Sequence, residues 1–192
     1  MKLLTIVLVS IISLAALAES SKNKTSTYLA PNGGVRVLVV PVGKEAGRAD
    51  YESRIEFRAA DNNLLCTLDF SSEDAEHGYG LVKAEWTPDS QYFVFSLASS
   101  GGHQAWHAPT EFYSQRDGTV RSLDDYFKSE ITKAAFQIVA PNTVKTERAG
   151  VDDKALPASI RLDALPALRS WRRTNPFLLR CEEGRSIKVE QP

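Results

Sequence analysis

Apolar and polar positions along most of this chain alternate with a period near two, so strands are the elements to expect. "VRVLVVPV" (Val35 to Val42) is a β-branched run with strand character. In "SRIEFRA", Ile55 and Phe57 fall on one side and Arg54, Glu56 and Arg58 on the other. Asp61-Asn62-Asn63 then predicts a turn into "LLCTLDF", where Leu64, Cys66, Leu68 and Phe70 share a face. After the acidic loop "SSEDAEHGYG" come "LVKAEW", the turn "TPDS", and "QYFVFSLAS", which sets Tyr92, Val94 and Ser96 against Phe93, Phe95 and Leu97. "APTEFYS", the turn "QRDG" and "TVRSLDDYF" follow. In "SLDDYF" the strand gives way to a short helix, with Ser122 or Asp124 as its cap. The pattern predicts an all-β fold of antiparallel four-stranded meanders with little helix. One unit covers about 31–70 and a second about 81–126.

The flanks are less regular. "ESSKNKTSTYLAPNGG" (Glu19 to Gly34) reads as a loose polar arm ending in a turn at Asn32-Gly33-Gly34. "EITKAAFQIVA" fits a short helix or a strand, Asn142 to Ala158 reads as loop, and Pro166 argues against a long helix in "IRLDALPALRSW". "FLLRC" and "RSIKVEQ" suggest a closing hairpin turned at "EEG", so 127–192 is expected to be β-rich but irregular.

The first residues alter the picture. Lys2 precedes an apolar stretch from Leu3 to Leu17, and Ala16-Leu17-Ala18 fits a small-x-small cleavage site. This predicts a signal peptide over 1–18 and an exported protein, periplasmic or secreted, with a single β-rich domain over 19–192. Removing 18 of 192 residues leaves 174, enough for one real core. The remaining 22 Lys and Arg face 24 Asp and Glu with no basic cluster, which excludes a nucleic-acid partner of the usual kind. No later apolar segment is long enough for a membrane span. In an oxidising compartment Cys66 and Cys181 can form one disulfide, or stay as buried free thiols.

"EWTPDSQYFVFS" (Glu85 to Ser96) resembles the WD40-like repeat of TolB-type β-propellers. There a tryptophan closes one strand, Ser/Thr-Pro-Asp-Gly makes the turn, and alternating apolar residues ending in Phe-Ser form the next strand. Ser90 departs from the usual glycine. "APNGGVRVLVV" (Ala30 to Val40) is a weaker echo without the tryptophan. The resemblance implies propeller-blade-like units, arranged as a partial propeller or as a β-sandwich of meanders. Otherwise the chain is similar to small exported bacterial proteins of unassigned function, so the resemblance carries no chemistry.

All three histidines fall between positions 77 and 107, in "EHGYG" and "SSGGHQAWHAP". On a blade-like arrangement His77, His103 and His107 occupy loops opening on one face. With Glu73, Asp74 or Glu76 they could hold Zn²⁺ or Cu²⁺, although the spacing is not the helical metalloprotease register. The plainer reading has these histidines bonding backbone groups and Trp106 packed on the sheet. Tyr79, Trp106 and Tyr113 form an aromatic patch for a sugar or peptide, or else belong to the core. No nucleophile elbow occurs, and Ser99 and Ser100 sit where serine is common in turns. The pairs Asp124-Asp125 and Asp152-Asp153 are poorly spaced for two acids sharing one bond. "RSWRRTNP" (Arg169 to Pro176) is a small basic patch suited to an anionic partner or a solvated loop. The sequence therefore points to a binding module without a resident cofactor, engaging an envelope or secreted partner through His77, Tyr79, His103, Trp106 and His107. The alternative is a metal-binding protein or metal-dependent hydrolase using the three histidines.

Overall fold

A computed structural model describes residues 25–42, 52–102, 104–165 and 179–189. The predicted signal peptide, the basic patch at Arg169–Pro176 and His103 lie outside the described residues.

The protein is all-β. Its first meander runs β1 (Ser26–Leu29), β2 (Val35–Val42), β3 (Glu52–Ala59) and β4 (Leu64–Asp69), each antiparallel to the next. The second runs β5 (Tyr79–Trp86), β6 (Tyr92–Ser99), β7 (Thr110–Ser114) and β8 (Thr119–Ser122), followed by the short helix α1 (Leu123–Phe127). The third holds β9 (Gln137–Val139), β10 (Thr143–Ala149) and β11 (Ala155–Arg161). Two late strands go back to the earlier sheets. β12 (Leu179–Arg180) pairs with β8, and β13 (Arg185–Lys188) lies parallel to β4.

Why the sheets stack follows from the alternation. The inner face of the first sheet (Val37, Val39, Ile55, Phe57, Leu68) meets Phe93, Phe95, Leu97, Tyr113 and Val120 of the second. Phe57 stacks on Tyr113 with ring centroids 4.3 Å apart. The opposite face of the second sheet carries Val94 and Phe112 into another core with Leu123, Ile131, Phe136, Val144 and Leu162. The second sheet is thus a middle layer, buried on both faces, and this is why β6 has large residues on both of its sides.

The first two strands of every meander are joined through an Xaa-Pro-Asn/Asp tripeptide, Ala30-Pro31-Asn32, Thr87-Pro88-Asp89 and Ala140-Pro141-Asn142, with five residues between the strands in the first two meanders and three, including a cis Ala140–Pro141 bond, in the third. In the first two turns the hydrogen bonding is also the same. Gly33 N–H donates to Ala30 O and Ser90 N–H to Thr87 O, while Ala30 N–H donates to Val35 O and Thr87 N–H to Tyr92 O. Gly33 and Ser90 both take the left-handed backbone, at φ 70° and 63°. The three turns touch in sequence. Asn32 N–H donates to Ser90 Oγ at 3.0 Å, and Asn142 Nδ2 donates to Asp89 Oδ2 at 2.7 Å.

Several expectations change. Part of the supposed N-terminal arm is β1, and Asn142 to Ala158 is mostly strand rather than loop. A register shift after Phe57 sets Leu64 opposite Arg58, so it leaves the face shared by Cys66 and Leu68. The expected closing hairpin does not form. β12 and β13 go to different sheets, with Cys181 between them bonded to Cys66 of β4. The expected short helix does form at Leu123–Phe127, with Ser122 as its cap, its side chain accepting from Asp124 N–H.

Candidate functional site

Three chain segments meet at the end of the sandwich where β4 leads into β5 and β6 into β7. Glu52, only 1% exposed at the start of β3, ties them together. Its carboxyl accepts from Ser72 N–H and Ser72 Oγ at 2.6 Å each, from Gly78 N–H at 2.7 Å and from Ser100 Oγ at 2.9 Å. Gly78 is required here, since a Cβ would lie 2.4 Å from both the Glu52 carboxyl and Phe70 O.

On this base the loop 70–78 is folded around Asp74, which accepts from Glu76 N–H, Ser72 Oγ and His77. The backbone bond from Glu76 and those from Ser72 and His77 hold the Asp74 carboxyl well below the usual carboxylate range. The loop 100–109 is fixed at two points. Gln104 Oε1 accepts from the Tyr79 hydroxyl at 2.7 Å, linking the two loops, and His107 Nε2 lies 3.1 Å from Asp124 Oδ1. Asp124 also accepts from Ile131 N–H at 2.6 Å and Thr110 N–H at 3.2 Å. One side chain thereby joins the loop, β7, α1 and the segment leading to the third sheet.

Trp106 stands between the two anchors and is 62% exposed, rather than packed on the sheet. Tyr79 and Tyr113, by contrast, are buried in the core, so the three aromatics do not make one patch. His77 and His107 lie in loops at the same end, as the strand order required, but each bonds its own carboxylate. Among the described residues no three His, Cys, Asp or Glu side chains are grouped to hold a metal ion. Asp152 is exposed in a 3-10 turn between β10 and β11, and the aspartate pair there stays apart from these loops in the chain order.

Glu111 was not singled out by the sequence. It sits on β7 between Thr110 and Phe112, opposite Ser122, and is 3% exposed. Burial, followed by the charges of Asp124 and Asp125, pushes its carboxyl up to about 8. In a strand that alternates, a glutamate reads as solvent-facing, and only the burial of the second sheet on both faces reverses that.

No helix among the described residues is long and apolar enough to cross a membrane. No protein-family model matches the chain, and no curated protein matches it as a relative.

Proposed function

We propose that this chain is an exported β-protein that acts as a binding module, taking a protein or small ligand through the loop end that carries Trp106, His77 and His107. Trp106 carries the reading. It is 62% exposed while Gln104 and His107 on either side of it are anchored, to Tyr79 and Asp124. A large amphipathic ring already held in place offers contact area at small entropic cost, as interface anchors do. Loops presented by a rigid β scaffold are the usual carriers of recognition. The recurrence of the Xaa-Pro-Asn/Asp turn in three successive meanders supports the blade-like reading drawn from TolB-type repeats, which by itself fixes no activity. The apolar leader sequence and the Cys66–Cys181 bond support export.

A photo-reactive phenylalanine analogue placed at position 106 in the producing cell tests this directly. The expected result is a discrete adduct, either a protein or a small-molecule mass on the intact chain, that is absent when the probe replaces exposed Val151 instead. Equal labelling at both positions, or none at 106, overturns the proposal.

A further inference from the structure

We propose that the loop end around Trp106 docks a basic, extended segment of a partner protein, with one arginine or lysine side chain of that segment seated on the Trp106 ring. The inference rests on the binding role proposed above and names the chemistry of what is bound. It starts from the ring itself. Trp106 is 62% exposed, yet the residues beside it are fixed, Gln104 by the Tyr79 hydroxyl at 2.7 Å and His107 by Asp124 at 3.1 Å. Among the described residues no other ring and no cation is set against the indole. The chain does use cation–ring contacts inside. Lys83 Nζ lies 4.6 Å from the centroid of the Phe136 ring, and the Arg121 guanidinium 6.0 Å from that of Phe112. Trp106 presents the same kind of face to the outside.

The charges around this ring have one prevailing sign. On one side stands the loop 70–78, bonded to the Trp106 loop through Ser100 N–H to Gly78 O at 3.0 Å and through Glu52, which accepts from Ser72, Gly78 and Ser100. That loop exposes Glu73, Asp74 and Glu76. On the other side Ala108 N–H donates to Ile131 O at 2.7 Å, which brings exposed Glu130 alongside. Among the described residues the carboxyls of Glu73, Glu76 and Glu130 meet no donor and no cation. Asp74 is bonded within its own loop to Glu76 N–H, Ser72 and His77, so it stays charged. The cations nearby are exposed Lys128 at the end of α1 and Lys188, whose Nζ is taken up by Ser71 and Asp69. The whole chain has 23 Lys and Arg against 24 Asp and Glu, so this end is acidic out of proportion.

An indole face attracts a guanidinium or ammonium group through its quadrupole. An acidic rim draws basic segments toward it and turns acidic ones away. Trp106 is two residues from Gln104, and Glu76 is two from Gly78, the neighbour of Tyr79. Six extended residues span about 20 Å, so one segment reaches both the ring and the carboxylates. A sugar would stack on the ring as well, but it would not offset the excess negative charge.

The test uses the full mature protein labelled with 5-fluorotryptophan, with the Trp106 resonance assigned through Trp106→Phe and hexa-arginine as the probe. The expected result is a saturable shift of the Trp106 signal while that of buried Trp86 stays unchanged. Raising the salt from about 0.05 to 0.3 M should weaken binding about tenfold. By calorimetry, Trp106→Ala should weaken it about tenfold as well. Glu73→Gln/Glu76→Gln, at two exposed positions, should weaken it about fivefold. Hexa-glutamate and the neutral sugar cellohexaose should leave the Trp106 signal where it is. A response to either of these, undiminished affinity in Trp106→Ala, or binding indifferent to salt overturns the proposal. So does a Trp106 signal that moves with protein concentration alone, which would give the site to a second copy of this chain. The two ideas fail separately. A photo-adduct at 106 with an acidic or uncharged partner would sink this inference and keep the binding role, while hexa-arginine binding without any adduct would do the reverse.

Discussion

Glu52 and Glu111 are both buried carboxyls at one end of the molecule, and their surroundings give them opposite consequences. Glu52 is met by four donors from two loops. Removing its charge without changing its size leaves some of those donors unpaired, so Glu52→Gln is expected to cost about 2–4 kcal/mol in chemical denaturation. Glu111 has no such compensation, and its raised value gives a definite sign. Below its ordinary value of 4.5 both the folded and the unfolded chain hold the proton, and the group is neutral for stability. Between 4.5 and about 8 the unfolded chain loses the proton first, so stability falls as pH rises, by up to about 1.4 kcal/mol per unit. Above that window the loss is complete and constant. Urea melts at pH 5, 6.5 and 8 should show this slope in the wild type and a flatter one in Glu111→Gln. An equal slope in both would place the pH dependence elsewhere.

At the level of elements, the turns carry the most information per residue. Ser90 occupies the left-handed position that Gly33 fills in the first meander, and it adds an acceptor for Asn32 N–H. Ser90→Gly loses that bond and relieves a strained backbone, two effects of about 1 kcal/mol that oppose each other. Ser90→Ala loses the bond and keeps the strain. The alanine variant should therefore melt below the glycine variant by about 1 kcal/mol, and the reverse order would mean that the left-handed backbone at this position carries no strain. These turns also explain what could be read in advance. Strands β2 to β8 were legible because Ile55, Phe57, Phe93 and Phe95 alternate strictly with other residues around Pro, Asn, Asp and Gly turns. The third meander was hidden. Its strands keep charged residues such as Lys145, Glu147 and Arg161, and β11 contains Pro157. Its clearest signal was the tripeptide Ala140-Pro141-Asn142, a repeat of Ala30-Pro31-Asn32. The candidate site was half legible. His77, Trp106 and His107 stand in the expected loops, whereas Glu52 and Glu111 depend on burial that only the stacked sheets create.

On the scale of the whole molecule, the first two sheets are held by their shared core and by one strap at their outer edges. That strap is β12 on β8, Cys181, and β13 on β4, and neither short strand contacts the other sheet's meander through a hairpin of its own. Gly118 O accepts from Cys181 N–H at 2.7 Å, and Val189 N–H donates to Asp69 O at 3.0 Å, so the strap touches each sheet beside its disulfide. No alternation in a sequence could reveal this, because two- and four-residue strands acquire their partners from chain more than fifty residues away. The bond between Cys66 and Cys181 spans 115 residues, and in the chain-entropy account closing a loop of that size contributes about 4–5 kcal/mol. Two effects separate when it is opened. Cys66→Ser/Cys181→Ser should lower stability by most of that amount, and hydrogen exchange should show Leu179, Arg180 and Arg185–Lys188 losing protection first. The amides of Ile55, Phe57, Phe93 and Phe95 should keep theirs, since these residues are fully buried in the meanders' own strands while Leu179, Cys181 and Ile187 of the strap are only partly buried against that core. Simultaneous loss of protection in the strap and in those four residues would mean that the disulfide holds the sheets together, and that the aromatic core between them is insufficient alone.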